Sequence, residues 1–252
     1  MIRYFIKLAY KGGAFHGWQR QLNGITVQQV LEEAMSLIMR ETVSLTGAGR
    51  TDTGVHANEY FAHFDSGNEI SAEELKKLIF RFNAYLPEDI AIYDIFPVPA
   101  WTHARFSAVT RTYQYCISTR KNPFRFGFYH FLYGKIDLEI MNRGGELLTT
   151  YNDFTSFSKV DTDTKTNICK LYAARWEQIG DELVFTIQAD RFLRNMVRAI
   201  VGTLLQLGMG KISLEELREI IESLDRSKAG DSVPACGLYL VKIDYPSGSF
   251  TM

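Results

Sequence analysis

Gly47-Ala48-Gly49-Arg50-Thr51-Asp52-Thr53-Gly54-Val55-His56-Ala57 reads as a loop that holds a carboxylate. Gly47, Gly49 and Gly54 permit positive φ and close approach of a ligand to the backbone, which a packing segment does not need. Asp52 is the only acid in the stretch, and the guanidinium of Arg50 lies two positions before it. Strand-like Val43 to Thr46 precedes the loop and the alternating Tyr60 to Phe64 follows it. Both loop ends are therefore expected to be pinned to a sheet, where a functional loop gains precision.

Working outward, Arg3 to Tyr10 alternates with Tyr4, Ile6, Leu8 and Tyr10 on one face, and Lys11-Gly12-Gly13 ends it as a turn. Phe15 to Gln21 is too polar and Gly-broken for core, although a Trp18 buried in a turn is the commoner reading. A capping box at Thr26 and Gln29 opens a helix with Val27, Val30, Leu31, Ala34, Leu37 and Ile38 on one face. A second box at Ser71 and Glu74 opens a helix bearing Leu75, Leu78, Ile79 and Phe82, closed by Leu86-Pro87. Ile90 to Phe96 reads as a strand ended by Pro97 and Pro99. The first half runs strand, helix, strand, loop, strand, helix, strand.

Pro97 to Ser107 breaks regular structure, which sets the expected domain junction near residue 104, with domains 1–104 and 105–252. In the strand after it Tyr113, Tyr115 and Ile117 share a face, and Tyr115 is read as core. Pro123 to Tyr133 groups Phe124, Phe126, Phe128, Tyr129, Phe131 and Tyr133 around Arg125 and His130. Core is the expected use of these rings, with stacking on nucleic acid the alternative. Leu138 to Leu148 reads as a helix, and Ile168–Glu177 with Glu182–Ala189 as a hairpin through Ile179-Gly180-Asp181. Arg191 to Leu207 is expected to be a helix with a broad apolar band and with Arg191, Arg194, Asn195 and Arg198 in its first two turns. Ser213 and Glu216 cap a last, acidic helix. The fold class is thus α+β, in two domains that are each a mainly antiparallel sheet covered by helices on one face.

The 252 residues are 46% hydrophobic and 23% charged, as expected for a globular chain able to bury a real core. There is no long apolar run and no signal-peptide pattern at the start, so a cytoplasmic chain without a membrane partner is expected. Cys116, Cys169 and Cys236 are widely spaced without a CxxC, which argues against a disulfide framework and a zinc site. The net charge of −1 hides segregation along the chain. Residues 1–31 hold Arg3, Lys7, Lys11 and Arg20 without an acid, and residues 95–136 hold Arg105, Arg111, Arg120, Lys121, Arg125 and Lys135 without one. With the neighbouring aromatics, these clusters suggest an RNA-facing basic cleft between the domains.

Gly49 to Ala57 resembles the GRTDxGVHA signature of the tRNA pseudouridine synthase A family, with Thr53 where a small residue such as Ala is usual. The resemblance extends over nearly the whole chain. It includes Gly17-Trp18-Gln19, His103 to Ala108, Arg111-x-Tyr113-x-Tyr115, Asp153-Phe154, Phe192 to Gly202 and Gly237 to Leu240. Lys11 stands where the family usually has Asp. The resemblance implies the pseudouridine synthase fold and an isomerase that converts uridine to pseudouridine at positions 38, 39 and 40 of the tRNA anticodon arm. It implies Asp52 as nucleophile, Arg198 as its partner and Tyr113 as a ring stacked on the substrate base. Arg50 is expected to fill the vacated space or grip phosphate, and Arg20, Arg105 and Arg111 to contact RNA. A homodimer is also implied. The isomerisation gains and loses no atom, so no cofactor and no metal is expected. Two other readings are a noncatalytic RNA-binding module and an aspartic peptidase, since Asp52-Thr53-Gly54 is also that enzyme class's triplet. Peptidases of that class need two carboxylates sharing one proton, and the chain has one such triplet. Binding alone would not require a carboxylate among phosphates.

Overall fold

The computed structural model describes residues 1–159 and 166–250. The chain packs as two compact units, Met1–Val109 with Leu240–Met252, and Thr110–Tyr239. The cut drawn near residue 104 lies in the His103 to Ser107 turn, which packs with the first unit.

In the first unit β1 (Ile2–Tyr10) is central, flanked by antiparallel β3 (His56–Ser66) and β4 (Ile90–Val98). The predicted strand before the Asp52 loop shrinks to β2 (Thr46–Gly47), which pairs with His63 and Ala62 of β3. Helix α1 (Val27–Met39) starts at Thr26, whose hydroxyl accepts from the Gln29 N–H. It buries Val27, Leu31, Ala34 and Met35, whereas the expected core residue Leu37 is exposed. Helix α2 (Ala72–Tyr85) starts at Ser71 and buries Leu75, Leu78 and Phe82.

Two long-range effects escaped the local pattern. β4 runs through Pro97, which pairs with Tyr4; an outer strand tolerates the missing N–H on its unpaired side. Phe5, on the face of β1 opposite to the predicted one, is fully buried because Tyr245 and Phe250 pack edge-on to it, with centroids 5.6 and 5.7 Å away.

In the second unit β5 (Thr110–Ser118) pairs antiparallel with β8 (Glu182–Ala189), which pairs with β7 (Leu171–Ile179) across a tight turn at Gly180, φ 60°. The short β6 (His130–Phe131) runs parallel to β5. Helix α3 (Leu138–Thr149) lies so close to β7 that a Cβ on Gly145 would sit 2.2 Å from the Ala174 carbonyl oxygen. Helix α4 (Met196–Gly208) is buried except at half-buried Arg198 and Gln206, with a Cβ on Gly202 meeting the Asp231 carbonyl oxygen at 1.8 Å. Helix α5 (Leu214–Glu222) opens with a full reciprocal capping box between Ser213 and Glu216. β9 (Leu238–Asp244) carries the chain back into the first unit.

The two units repeat one docking device. In the first, the Asn83 amide of α2 accepts from the Ile92 N–H at 2.8 Å and donates to the Ile92 carbonyl at 2.7 Å. In the second, Asn142 of α3 bonds Trp176 of β7 in the same two ways, at 2.8 and 3.2 Å. Each helix is thereby keyed to a single residue of an outer strand.

Two expectations about the second unit are corrected. Regular helix begins at Met196, not Arg191, because Asn195 takes a left-handed conformation, φ 66°, and bonds Ser232. Of the expected basic group, Arg198 alone lies on the helix. The rings of residues 123–133 are not core: Phe124, Phe126 and Tyr133 are 90, 87 and 87% exposed. A 3₁₀ turn at Pro123–Arg125 and Gly127 at φ 81° keep this stretch from forming the long pairing that would bury alternate rings.

Candidate active site

Asp52 lies at the centre of a loop whose position is set by the segment that follows β1. The Gly54 N–H donates to the Phe15 carbonyl at 3.3 Å, and the Val55 N–H donates to the Asp52 carbonyl at 3.2 Å. The Tyr10 hydroxyl is 2.9 Å from that of Thr51. The Gly12 N–H donates to Nδ1 of buried His56 at 3.1 Å, which places the neutral ring's proton on Nε2. These contacts hold both sides of Asp52.

The approach is backbone against backbone. A Cβ at Gly12 would lie 2.0 Å from the Val55 carbonyl oxygen, and one at Gly17, φ 81°, would lie 2.2 Å from that of Thr51. Only glycine allows that spacing at these two positions. Below the loop, buried Trp18 and Tyr60 lie with ring centroids 4.1 Å apart, and Tyr10 meets Tyr60 edge-on at 5.6 Å. The Tyr60 hydroxyl donates to the Gly49 carbonyl and accepts from the Gly49 N–H.

Asp52 is half-buried, and Thr53 beside it is exposed, so the hydroxyl at that position meets no packing constraint. Arg50 reaches along the loop, its Nε donating to Gln19 Oε1 at 3.0 Å. Lys11 is exposed and forms an ion pair with Asp89 at 3.3 Å.

Trp18 behaves as the buried turn residue expected of it. Tyr10, Trp18, Tyr60, His56 and Gly12 form the scaffold of the loop, a role the sequence reading did not assign them. The alternation of Tyr60 to Phe64 was read as strand, and the inward position of Tyr60 in that pattern was the signal available.

Of the expected RNA-contacting residues, Arg20 and Arg105 belong to the first unit and Arg111 to the second. Arg20 pairs with Glu32 and Glu33 at 3.3 and 3.4 Å. Arg105 stands 5.7 Å over the Phe106 ring. Folding brings acids to the basic clusters from elsewhere in the chain: Arg3 meets Asp65 at 2.8 Å, Lys7 meets Glu59 at 2.8 Å and Arg125 meets Glu182 at 2.7 Å. The acid-free stretches of sequence are therefore only in part basic surface.

Arg111 donates to the Asp190 carbonyl at 2.8 Å, and the half-buried Tyr113 ring meets Phe192 edge-on at 5.1 Å. Tyr115, two residues along β5, is fully buried, its hydroxyl donating to the Pro234 carbonyl at 2.9 Å; burial pushes its pKa up. Arg198 donates from Nε to the Val233 carbonyl at 2.7 Å, which fixes the plane of its guanidinium.

The thiols of Cys116 and Cys169 are buried, and burial pushes them up to about 11 and about 12, so they are inert as nucleophiles at neutral pH. Among the described residues no three His, Cys, Asp or Glu side chains are grouped to hold a metal ion. No helix among them is long and apolar enough to cross a membrane.

A sequence profile described as tRNA pseudouridine synthase matches residues 150–246. A protein of Parabacteroides distasonis named tRNA pseudouridine synthase A is 52% identical over 99% of this chain and 98% of its own length. One of Porphyromonas gingivalis with the same name is 52% identical over 99% of this chain and 100% of its own. One of Thermoanaerobacter pseudethanolicus, again so named, is 40% identical over 97% of this chain and 100% of its own. Similarity at that level over almost every residue, together with an Asp52 loop built into both strands that flank it, shows that the chain belongs to the tRNA pseudouridine synthase A family.

Proposed function

We propose that this protein isomerises uridine to pseudouridine in tRNA, at positions 38, 39 and 40 of the anticodon arm, with Asp52 as the nucleophile. The observation that carries the reading is full-length similarity to proteins of that name, joined to a carboxylate held on a rigid loop. The C1′–N1 glycosidic bond breaks, the uracil turns while held, and C5 joins the ribose C1′ as any bond to the Asp52 carboxylate is released; the proton lost from C5 is balanced by the one gained at N1. The chain's own residues supply orientation and charge. An ionised carboxylate attacks the substrate, and the Gly12 and Tyr60 contacts restrict the directions that it can take.

Arg198 is proposed as the cation that keeps Asp52 ionised during turnover, because desolvation under bound RNA favours protonation and a nearby guanidinium opposes it. Tyr113 is proposed to take the face of the extruded base, whose removal from the stack costs roughly a few kcal/mol. Arg50 grips phosphate or fills the space that the base vacates. Arg20, Arg105 and Arg111 contact the RNA backbone in a basic cleft, and the protein works as a cytoplasmic homodimer.

Incubation with unmodified tRNA transcript, followed by position-resolved detection of pseudouridine, tests the reading. Product at the anticodon-arm uridines is expected. Intact uridine at all three positions would overturn it.

A further inference from the structure

Outside the Asp52 loop, a polar cluster of the first unit surrounds the turn that carries Arg105. His103 closes this turn with its own side chain: Nδ1 accepts from the Arg105 and Phe106 N–H groups at 3.1 and 3.2 Å. The His103 N–H donates to Ser107 Oγ at 2.9 Å, and the Ser107 N–H donates to the His103 carbonyl at 2.9 Å. From β3, Nδ1 of His63 accepts the Ala104 N–H at 3.1 Å, while the Tyr245 hydroxyl donates to the Ala104 carbonyl at 2.6 Å. Three successive N–H groups of the turn thus end on two imidazole nitrogens.

The rings themselves touch, His63 edge-on to His103 at 4.7 Å and His103 against Phe106 at 4.4 Å. A lone pair at Nδ1 is needed for each of these bonds, so both rings must be neutral and protonated on Nε2. What the turn displays is an exposed Phe106, 77% open to solvent, with the Arg105 guanidinium 5.7 Å from its centroid. A cation beside an open aromatic face suits a phosphate next to an unstacked base or ribose.

We propose that His63 and His103 are positioning residues that aim the Arg105–Phe106 tip at tRNA, as neutral imidazoles holding the Ala104 to Phe106 backbone. The proposal rests on the tRNA-modifying activity proposed above. Charges around the pair favour the neutral state: burial lowers both pKa values, His63 to about 4, and Arg3 lowers both further. Arg105 also lowers His103, while Asp65 opposes the shift at His63. The turn is therefore held at neutral pH and released in acid.

Two measurements on the full-length protein test this. In the free protein, amide exchange at Ala104, Arg105 and Phe106, corrected for intrinsic rate, is expected to be protected at pH 7.5 and to lose protection as pH falls through about 4. In turnover of unmodified tRNA transcript, His103→Leu, which removes the two backbone bonds accepted by Nδ1, is expected to raise KM about tenfold with kcat nearly unchanged. His103→Asn, whose Oδ1 can accept the same N–H groups, is expected to restore KM. In an Arg105→Ala background, His103→Leu is expected to add little.

Unprotected amides at pH 7.5 would overturn the proposal, as would equal KM for the Leu and Asn variants or a full additional loss in the Arg105→Ala background. If His103→Leu does not fold, the exchange measurement on the wild type and the Asn variant decides. A wild-type chain that leaves tRNA unmodified would defeat the activity and not the exchange result, so the two failures are distinguishable.

Discussion

The Tyr60 hydroxyl engages both backbone groups of Gly49, donating to its carbonyl oxygen and accepting from its N–H, so that one phenol on β3 clamps the loop three residues before Asp52. Tyr60→Phe keeps the ring stack with Trp18 and removes both bonds. A loss of about 1–2 kcal/mol in unfolding free energy is expected. Turnover should fall further than stability suggests, because the loop's aim is what the phenol maintains. Denaturant unfolding and single-turnover kinetics on the same preparation check this, and unchanged turnover would remove Tyr60 from that role.

Gly12→Ala places a methyl group 2.0 Å from the Val55 carbonyl oxygen, a collision with backbone that no rotamer can relieve. The Asp52 loop must shift, and the Gly12 bond to His56 must lengthen. A drop in kcat of about a hundredfold is expected from a misplacement near 1 Å. Gly13→Ala, where a Cβ meets nothing within 4 Å, is the control and should be near wild type.

Asp52→Asn is expected to reduce pseudouridine formation to the detection limit while leaving the melting curve and tRNA binding nearly unchanged, since an isostere fits the loop but an amide is no nucleophile. Arg198→Met should lower turnover more than affinity and move the acid limb of the pH–rate profile to higher pH. A profile that stays in place would leave Arg198 a packing role through Val233 only.

Binding of tRNA should weaken steeply with salt, because each phosphate contact releases counterions. Neutralising Arg105 and Arg111 together should flatten that dependence and lower affinity. Neutralising Lys76 and Lys77 should do neither; Lys77 is already paired with Glu73 at 2.6 Å on the outside of α2. Anisotropy titrations at several salt concentrations provide the comparison, and equal slopes for the two pairs would dissociate the arginines from RNA.

His63 supplies a pH dependence of stability whose sign follows from its depressed pKa. The unfolded ring takes up a proton below about 6.5, whereas the folded one resists until about 4. Its contribution is therefore complete above pH 6.5 and is lost as pH falls from 6.5 towards 4, on the order of 2 kcal/mol in all. Chemical denaturation at pH 7 and pH 4.5 should show that loss, and His63→Asn should reduce it. The Arg3–Asp65 pair responds in a lower window: the Arg3 bond holds Asp65 below its ordinary value, so its contribution persists until pH falls through the carboxylate range.

What the sequence determined by itself is local or repeated. Alternation placed β1 and β8, capping hydroxyls at Thr26, Ser71 and Ser213 marked three helix starts, and the glycines around Asp52 marked the loop. Each of these signals lies within a few residues of the feature that it specifies. What only the tertiary structure decided depends on partners distant in the chain. Phe5 is buried because Tyr245 and Phe250 pack against its face, and Pro97 is tolerated because, among the described residues, no strand pairs with the outer side of β4. Arg125 is neutralised by Glu182 of a later hairpin, and the rings of Phe124 and Phe126 stay in water because a turn, not a strand, carries them. The same holds for the candidate site. Asp52 was legible as a carboxylate among glycines, but the wall that orients it comes from Tyr10 to Trp18, about forty residues earlier, and no local pattern records which backbone groups two such distant segments exchange.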